Sequence, residues 1–192
     1  MSIDRSEAIK RTVLIMGGLV FAPNIIGVLK GCSARPCEGW SPKFFNKSQA
    51  RLVTMLTDII LPATDTPGAS DVGVPEFIEE MVETVYDEDA REQFISGMEA
   101  FNKLARDEYE NDFVDLNFNL QLKFVNDQNR LAVSGQQMYE PGIAFFQVLK
   151  ELTILGFFTS EPGATQVLKY EMVPGRYKGC VPFEKVGKTW VN

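Results

Sequence analysis

The chain has 192 residues, 45% of them apolar, a length and composition that predict one globular domain. Its formal net charge is −7, and residues 32–192, with 15 basic and 24 acidic side chains, carry −9. This acidity excludes nucleic acid as a partner, because nucleic-acid binding needs a basic surface.

Several kinds of chemistry are missing from the sequence. It has no histidine, which removes the commonest general base and the usual transition-metal ligand. It contains neither the GxGxxG motif for dinucleotides nor the GxxxxGK[ST] motif for phosphates. The sequence therefore predicts no catalytic residue, no metal site and no cofactor in this chain.

Residues 1–31 are expected to form an export signal or a membrane anchor. Arg5, Lys10 and Arg11 precede the apolar stretch Val13–Leu29, the arrangement of a secretory signal. This stretch has 17 residues, interrupted by Gly, Pro and Asn, and is marginal as a membrane span, which needs about 20 apolar residues. Cys32 follows Leu-Lys-Gly, which resembles a lipobox, so Cys32 is the predicted lipidation site. An uncleaved anchor and a plain signal peptide are the alternatives.

Residues 32–45 are rich in turn-forming residues and are interpreted as a tether whose aromatic side chains can dock on the domain. If Cys32 carries lipid, Cys37 and Cys180 remain. An oxidising periplasm would allow these two to pair with each other or with a partner protein, and their spacing does not decide between the two.

Residues 46–192 predict a single all-α domain of about five to seven helices, with long ordered loops and an irregular C-terminal tail. Capping residues and prolines mark the first three helices. The first is predicted to begin at Asn46 or Ser48 and to end at Pro62. The second begins at Pro75, and the third at Asp87 or Asp89. Residues 116–124 alternate apolar and polar as a strand would, but no second strand lies nearby to pair with, so a helix is predicted. Gly142–Phe158 is apolar nearly all round and predicts the central buried helix.

Two irregular segments are the candidate binding surface. Residues 61–75 form a loop rich in Pro, Gly and Asp that can order its own backbone, and residues 170–191 form a tail with aromatic residues but no apolar periodicity. Free exposure of the tail would leave an apolar patch that soluble monomers rarely show. The residues predicted to contact a partner are Asp65, Pro67, Asp71, Pro75, Tyr170, Arg176, Tyr177, Cys180 and Trp190.

Three carboxylates lie around the loop. Asp58, Asp65 and Asp71 could in principle act as an acid/base pair or as ligands of a hard cation. Turn chemistry favours a structural role, in which Asp65 and Asp71 cap turns and Asp58 lies on a helix face.

The loop also carries a family resemblance. The stretch LPATDTPGASDVGVPEFI, residues 61–78, resembles the signature of the gluconate 2-dehydrogenase subunit 3 family, and residues 156–182 are similar to that family's closing segment. The resemblance implies a small subunit of a bacterial membrane-bound sugar or polyol dehydrogenase. It also implies a large subunit of the glucose-methanol-choline oxidoreductase type, which would hold FAD and oxidise the sugar, with a cytochrome c subunit as a further candidate partner.

Three functions are compatible with these observations. The first is a non-catalytic subunit that assists folding, export and membrane attachment of the large subunit. The second is a free-standing periplasmic ligand-binding lipoprotein, which an aromatic and polar pocket would favour. The third is a hydrolase that uses carboxylates, but the acidic residues show no spacing that would bring two of them together as a catalytic pair.

Overall fold

The computed structural model describes residues 40–135, 139–173, 175–176 and 180–191. Within these ranges the chain forms helices, helical turns and one isolated β-bridge, without a strand, so the predicted all-α domain is confirmed. The expected export segment, Cys32, Cys37 and Tyr177 lie outside the described residues.

The α-helices of the described residues are α1 (Lys47–Ile60), α2 (Val74–Glu80), α3 (Glu88–Tyr109), α4 (Phe118–Ser134), α5 (Pro141–Thr159) and α6 (Phe183–Val186). Shorter turns join them. Ser70–Val72 and Phe113–Asp115 are 3₁₀ turns, and Met81–Val85 and Gly163–Val167 are wider π-type turns.

Side-chain caps fix the starts of three helices. Asn46 accepts from the backbone N–H of Gln49 at 3.0 Å, and the Gln49 side chain accepts in return from the Asn46 N–H. At the starts of α3 and α4, the side chains of Asp87 and Asn117 accept from the backbone N–H groups of Ala90 and Leu120. Of residues 116–124, for which a helix was predicted against their strand-like alternation, residues 118–124 are helical, and Leu116 and Asn117 precede the helix.

The core is built around one phenylalanine of α3. The ring of Phe101 is fully buried, and its centroid lies between 5.2 and 5.9 Å from those of Phe113, Phe124, Phe145 and Phe146. Most of these pairs meet edge to face, the arrangement that the charge distribution of aromatic rings favours. These contacts join α3, α4 and α5 into one core.

Two glycines let α3 and α5 approach closely. A Cβ atom on Gly142 would lie 2.9 Å from the backbone nitrogen of Phe101 and 3.0 Å from its Cα. A Cβ atom on Gly97 would lie 2.7 Å from the Cβ of Phe145. Neither position can hold a larger residue unless the helices separate.

We therefore expect Gly142→Ala to destabilise the domain by about 1 to 3 kcal/mol, the usual cost of overpacking a core. Helix propensity alone predicts the opposite sign, because Ala is the better helix former by up to about 1 kcal/mol. Urea denaturation followed by circular dichroism gives the free energy of unfolding. A variant more stable than the parent would show that the close helix contact is not tight.

The predicted central helix is present as α5. Among the described residues, α5 is the one helix with the length and hydropathy of a membrane span, and half of that span is buried inside the domain. Helices α2, α3 and α4 pack against it, but Ile154 and Leu155 are 42% and 49% exposed. The helix is therefore central, as predicted, and also has an apolar side that is exposed.

A buried carboxylate fastens the first described residues to the domain. Glu79 of α2 is 5% exposed, and its Oε1 accepts from the backbone N–H groups of Lys43, Phe44 and Phe45 at 2.8 to 2.9 Å. Its Oε2 accepts from the indole N–H of Trp40 at 2.9 Å. The end of the expected tether is therefore docked on the domain, and Phe45 lies in the core.

Glu79 occupies a core position of its helix. The buried residues of α2 are Val74, Pro75, Ile78 and Glu79, and Val82 continues the stripe. In a continuous α-helix Val85, seven residues after Ile78, would lie on the same side, but it is 64% exposed. The π-type turn Met81–Val85 explains the difference, because its wider pitch rotates the last residues away from the α-helical register.

Replacement of Glu79 by Ala should lower the free energy of unfolding by about 2 to 4 kcal/mol, because four donors lose a charged acceptor in a largely buried place. The matched control is Glu80→Ala, since Glu80 is the next residue of α2 and its side chain is exposed. Urea denaturation of both variants measures the effect. Equal stabilities would contradict the role given to Glu79.

Candidate partner-binding surface

The loop of residues 61–75 is folded on itself. The backbone N–H of Ala69 donates to the carbonyl of Leu61 at 2.9 Å, and Ala69 is fully buried. A Cβ atom on Gly68 would lie 2.8 Å from the backbone nitrogen of Ala63, so the crossing of these two backbone segments requires glycine. The loop presents a fixed shape to solvent.

Asp58 of α1 holds this loop to the domain. Its two oxygens accept from the backbone N–H of Ser70 at 3.0 Å and from the Ser70 hydroxyl at 2.9 Å. Burial raises the pKa of the Asp58 carboxyl above its usual value, the hydrogen bonds from Ser70 oppose this, and the nearby charge of Asp71 adds to it. The sequence predicted Asp58 on a helix face, but its contact with Ser70, 12 residues away, leaves no local pattern from which it could be predicted.

The other two carboxylates of the loop are also engaged locally. Asp71 accepts from the Gly68 N–H at 2.9 Å, and Asp65 accepts from the Thr64 hydroxyl at 3.0 Å. Asp71 therefore stabilises its turn through a backbone group, as predicted, whereas the hydrogen bond of Asp65 is to a neighbouring side chain. In the described ranges, no three acidic, cysteine or histidine side chains come together as a metal site would require.

The pKa of Asp58 predicts a pH dependence of stability. A carboxyl whose pKa is raised by folding binds its proton more tightly in the folded state. Its contribution to stability is thus largest below the ordinary value of 3.8 and is lost as the pH rises through the folded-state pKa. Asp58→Asn removes this titration and keeps an oxygen for the Ser70 N–H.

We expect the stability of Asp58→Asn relative to the parent to increase as the pH rises from about 4 to about 7. Thermal or urea unfolding at several pH values measures this difference. The control is Asp65→Asn, in which the replaced carboxylate is exposed. Parallel curves for the parent and Asp58→Asn would contradict the assignment.

The predicted contact residues of the loop differ in accessibility. Asp65 and Asp71 are exposed and Pro67 is partly exposed. Pro75 is buried in the first turn of α2, where its missing N–H costs nothing. The structure therefore removes Pro75 from the candidate surface, because the domain itself covers it.

The tail is anchored at its base. The backbone N–H of Lys169 donates to the carbonyl of Thr189 at 2.8 Å, and the N–H of Val191 donates to the carbonyl of Lys169 at 3.1 Å. These bonds form an isolated parallel bridge between Lys169 and Trp190, and the Lys169 ammonium lies 4.1 Å from the centre of the Trp190 ring. The chain therefore leaves the domain and returns to it at one place.

Apolar side chains beyond this base are exposed to solvent. The large apolar residues of the tail that are at least 41% exposed are Tyr170, Met172, Val173, Val181, Phe183 and Trp190. Arg176 and the thiol of Cys180 are exposed as well. Exposed apolar side chains that lie together in one segment are more often part of an interaction site than of a surface that faces only solvent.

A trough of about 440 Å³ lies beside α3 and α5. Its walls combine aromatic and apolar side chains with few polar groups: Tyr86, Ala90, Gln93, Phe94, Ser96, Tyr139, Pro141, Ala144, Phe145 and Val148. Ligand sites usually enclose most of the ligand surface, whereas this trough is only partly enclosed. It does not favour the ligand-binding hypothesis.

The comparison with known families agrees with the resemblance seen in the loop. The family model described as gluconate 2-dehydrogenase subunit 3 matches residues 47–175. The chain belongs to the gluconate 2-dehydrogenase subunit 3 family. No curated protein and no solved structure matches it.

The match places the domain within the family. It includes α1 to α5 and the whole loop of residues 61–75, and it extends into the first part of the tail. This subunit 3 chain is accordingly a subunit of a gluconate 2-dehydrogenase-like complex.

Proposed function

We propose that this subunit 3 chain is a non-catalytic accessory subunit of a periplasmic, membrane-associated, FAD-dependent dehydrogenase of gluconate, glucose or glucoside-like sugars. It binds the catalytic large subunit, of the glucose-methanol-choline oxidoreductase type, through its tail and through the exposed part of the loop of residues 61–75. The observation that carries this proposal is the exposed apolar tail on a fixed base, in a chain whose family consists of dehydrogenase subunits.

The proposal divides the work between two chains. The large subunit holds FAD and oxidises the sugar. In this chain the carboxylates that could have served an acid/base reaction, Asp58, Asp65 and Asp71, accept hydrogen bonds from the loop instead. The chain therefore acts by binding, and it assists folding and export of its partner.

Membrane attachment is assigned to the N-terminus. Residues 1–31 direct export, and Cys32 carries the lipid if the lipobox functions. The docking of Trp40 and Phe45 on Glu79 gives this attachment a fixed point on the domain. A cytochrome c subunit would accept electrons from the flavin and belongs to the same complex.

Two exposed valines provide a matched test of the tail surface. Val173 of the tail is 77% exposed and Val133 of α4 is 74% exposed, so an Asp side chain at either position would remain in contact with solvent in the free domain. We expect Val173→Asp to weaken association with the large subunit by about 1 to 4 kcal/mol, because binding would bury the new charge. Val133→Asp should leave association unchanged.

Co-expression of both subunits, followed by affinity purification and flavin absorbance, measures the association. The parent chain purified alone should carry no flavin, and the complex should carry it. Assembly that resists Val173→Asp but fails with Val133→Asp would move the partner surface from the tail to α4.

A further inference from the structure

The tail carries a charge opposite to that of the domain that holds it. Residues 168–192 contain five basic and two acidic side chains, a net charge of +3. Residues 46–167 contain eight basic and 21 acidic side chains, a net charge of −13. Most of the negative charge of this protein is therefore separated along the chain from the positive charge of its tail.

The helical domain does not neutralise the tail in the part of the chain that the structure describes. There, the ion pairs join residues of the domain with one another, such as Lys123 with Glu108 and Asp127. The side chain of Lys169 lies over the Trp190 ring, and that of Lys188 donates to the backbone carbonyl of Gln166. These contacts place two ammonium groups at the base of the tail, and no carboxylate among the described residues pairs with either.

The other two basic residues of the tail that the structure describes are placed where they could contact a partner. Arg176 and Lys185 are exposed and take part in none of these ion pairs. They occur in the same segment as Met172, Val173 and Phe183, which are exposed by 80%, 77% and 66%. Aromatic, Met and Arg side chains are enriched at protein interfaces, and charges around an apolar contact guide the approach of the partner.

Resting on the proposed function, we propose that the tail binds an apolar depression with an acidic rim on the large subunit. The apolar side chains enter the depression and hold the complex, while Arg176 and Lys185 meet carboxylates around it and speed the encounter.

An anionic membrane is the competing occupant of this surface. The domain argues against it, because a net charge of −13 in the residues that carry the tail would be repelled by anionic lipid. A partner protein, unlike a membrane, can carry its acidic groups only in the small area that the tail contacts, so that they do not face the acidic domain. The partner protein is therefore the occupant that fits the charge of the whole chain.

The test measures association of the full-length chain with the immobilised large subunit at about 50 and 500 mM NaCl, which span weak and strong screening. The association rate of the parent should fall several-fold with salt, while dissociation changes little. The double variant Arg176→Glu/Lys185→Glu should associate at least ten-fold more slowly at low salt. Lys103→Glu, which reverses one charge at an exposed position of α3, should behave like the parent.

The possible failures have distinct results. Absence of any complex, with every variant, would overturn the proposed function and this inference together. A stable complex whose association rate ignores both salt and the double variant would overturn the inference alone, as would an equal effect of Lys103→Glu. Binding of the parent to vesicles rich in phosphatidylglycerol, lost in the double variant while assembly is unchanged, would assign the tail to lipid and overturn the proposal.

Discussion

The close contact between α3 and α5 is the constraint on which the other elements of the domain depend. Gly97 and Gly142 bring the two helices together, and this approach places Phe145 and Phe146 against Phe101. The aromatic core then fixes α4 through Phe124. Gly156 of α5 serves α2 in the same way, because a Cβ atom there would lie 2.6 Å from the Phe77 ring.

The position of α5 also sets the position of the tail. The helix ends at Thr159, and the hydroxyl of Ser160 accepts from the Gly163 N–H at 3.1 Å as the chain turns. A Cβ atom on Gly163 would lie 1.9 Å from the carbonyl oxygen of Phe157, so this turn requires glycine. The turn delivers Lys169 to its bridge with Trp190. The tail, which lacks helical periodicity, is thus attached to the helix around which the domain packs.

Local sequence patterns were sufficient for the helices and insufficient for the contacts between them. Caps at Asn46 and Asp87 and the apolar spacing of Phe94, Met98 and Phe101 are local signals, and the structure agrees with them. Glu79 could have been suspected from its place between Ile78 and Val82, both buried. Its partners could not have been found in this way, since they lie 34 to 39 residues away and three of them are backbone groups.

Local sequence patterns were also insufficient to predict the contacts of the candidate binding surface. The composition of the tail indicated that it needs a partner, but no pattern predicts that Lys169 meets Trp190, because neither residue belongs to a regular element. The burial of Pro75 followed from the register of α2, which also carries Glu79 inward. The structure therefore shows what the sequence could not: the base of the tail is fixed by the bridge between Lys169 and Trp190, and the apolar and basic side chains beyond this base are exposed.

Hydrogen exchange of the full chain, with and without the large subunit, tests this account most directly. The account predicts slower exchange in complex for peptides from residues 170–173 and 180–191, together with unchanged exchange for α4. Protection of α4 without protection of the tail would contradict it.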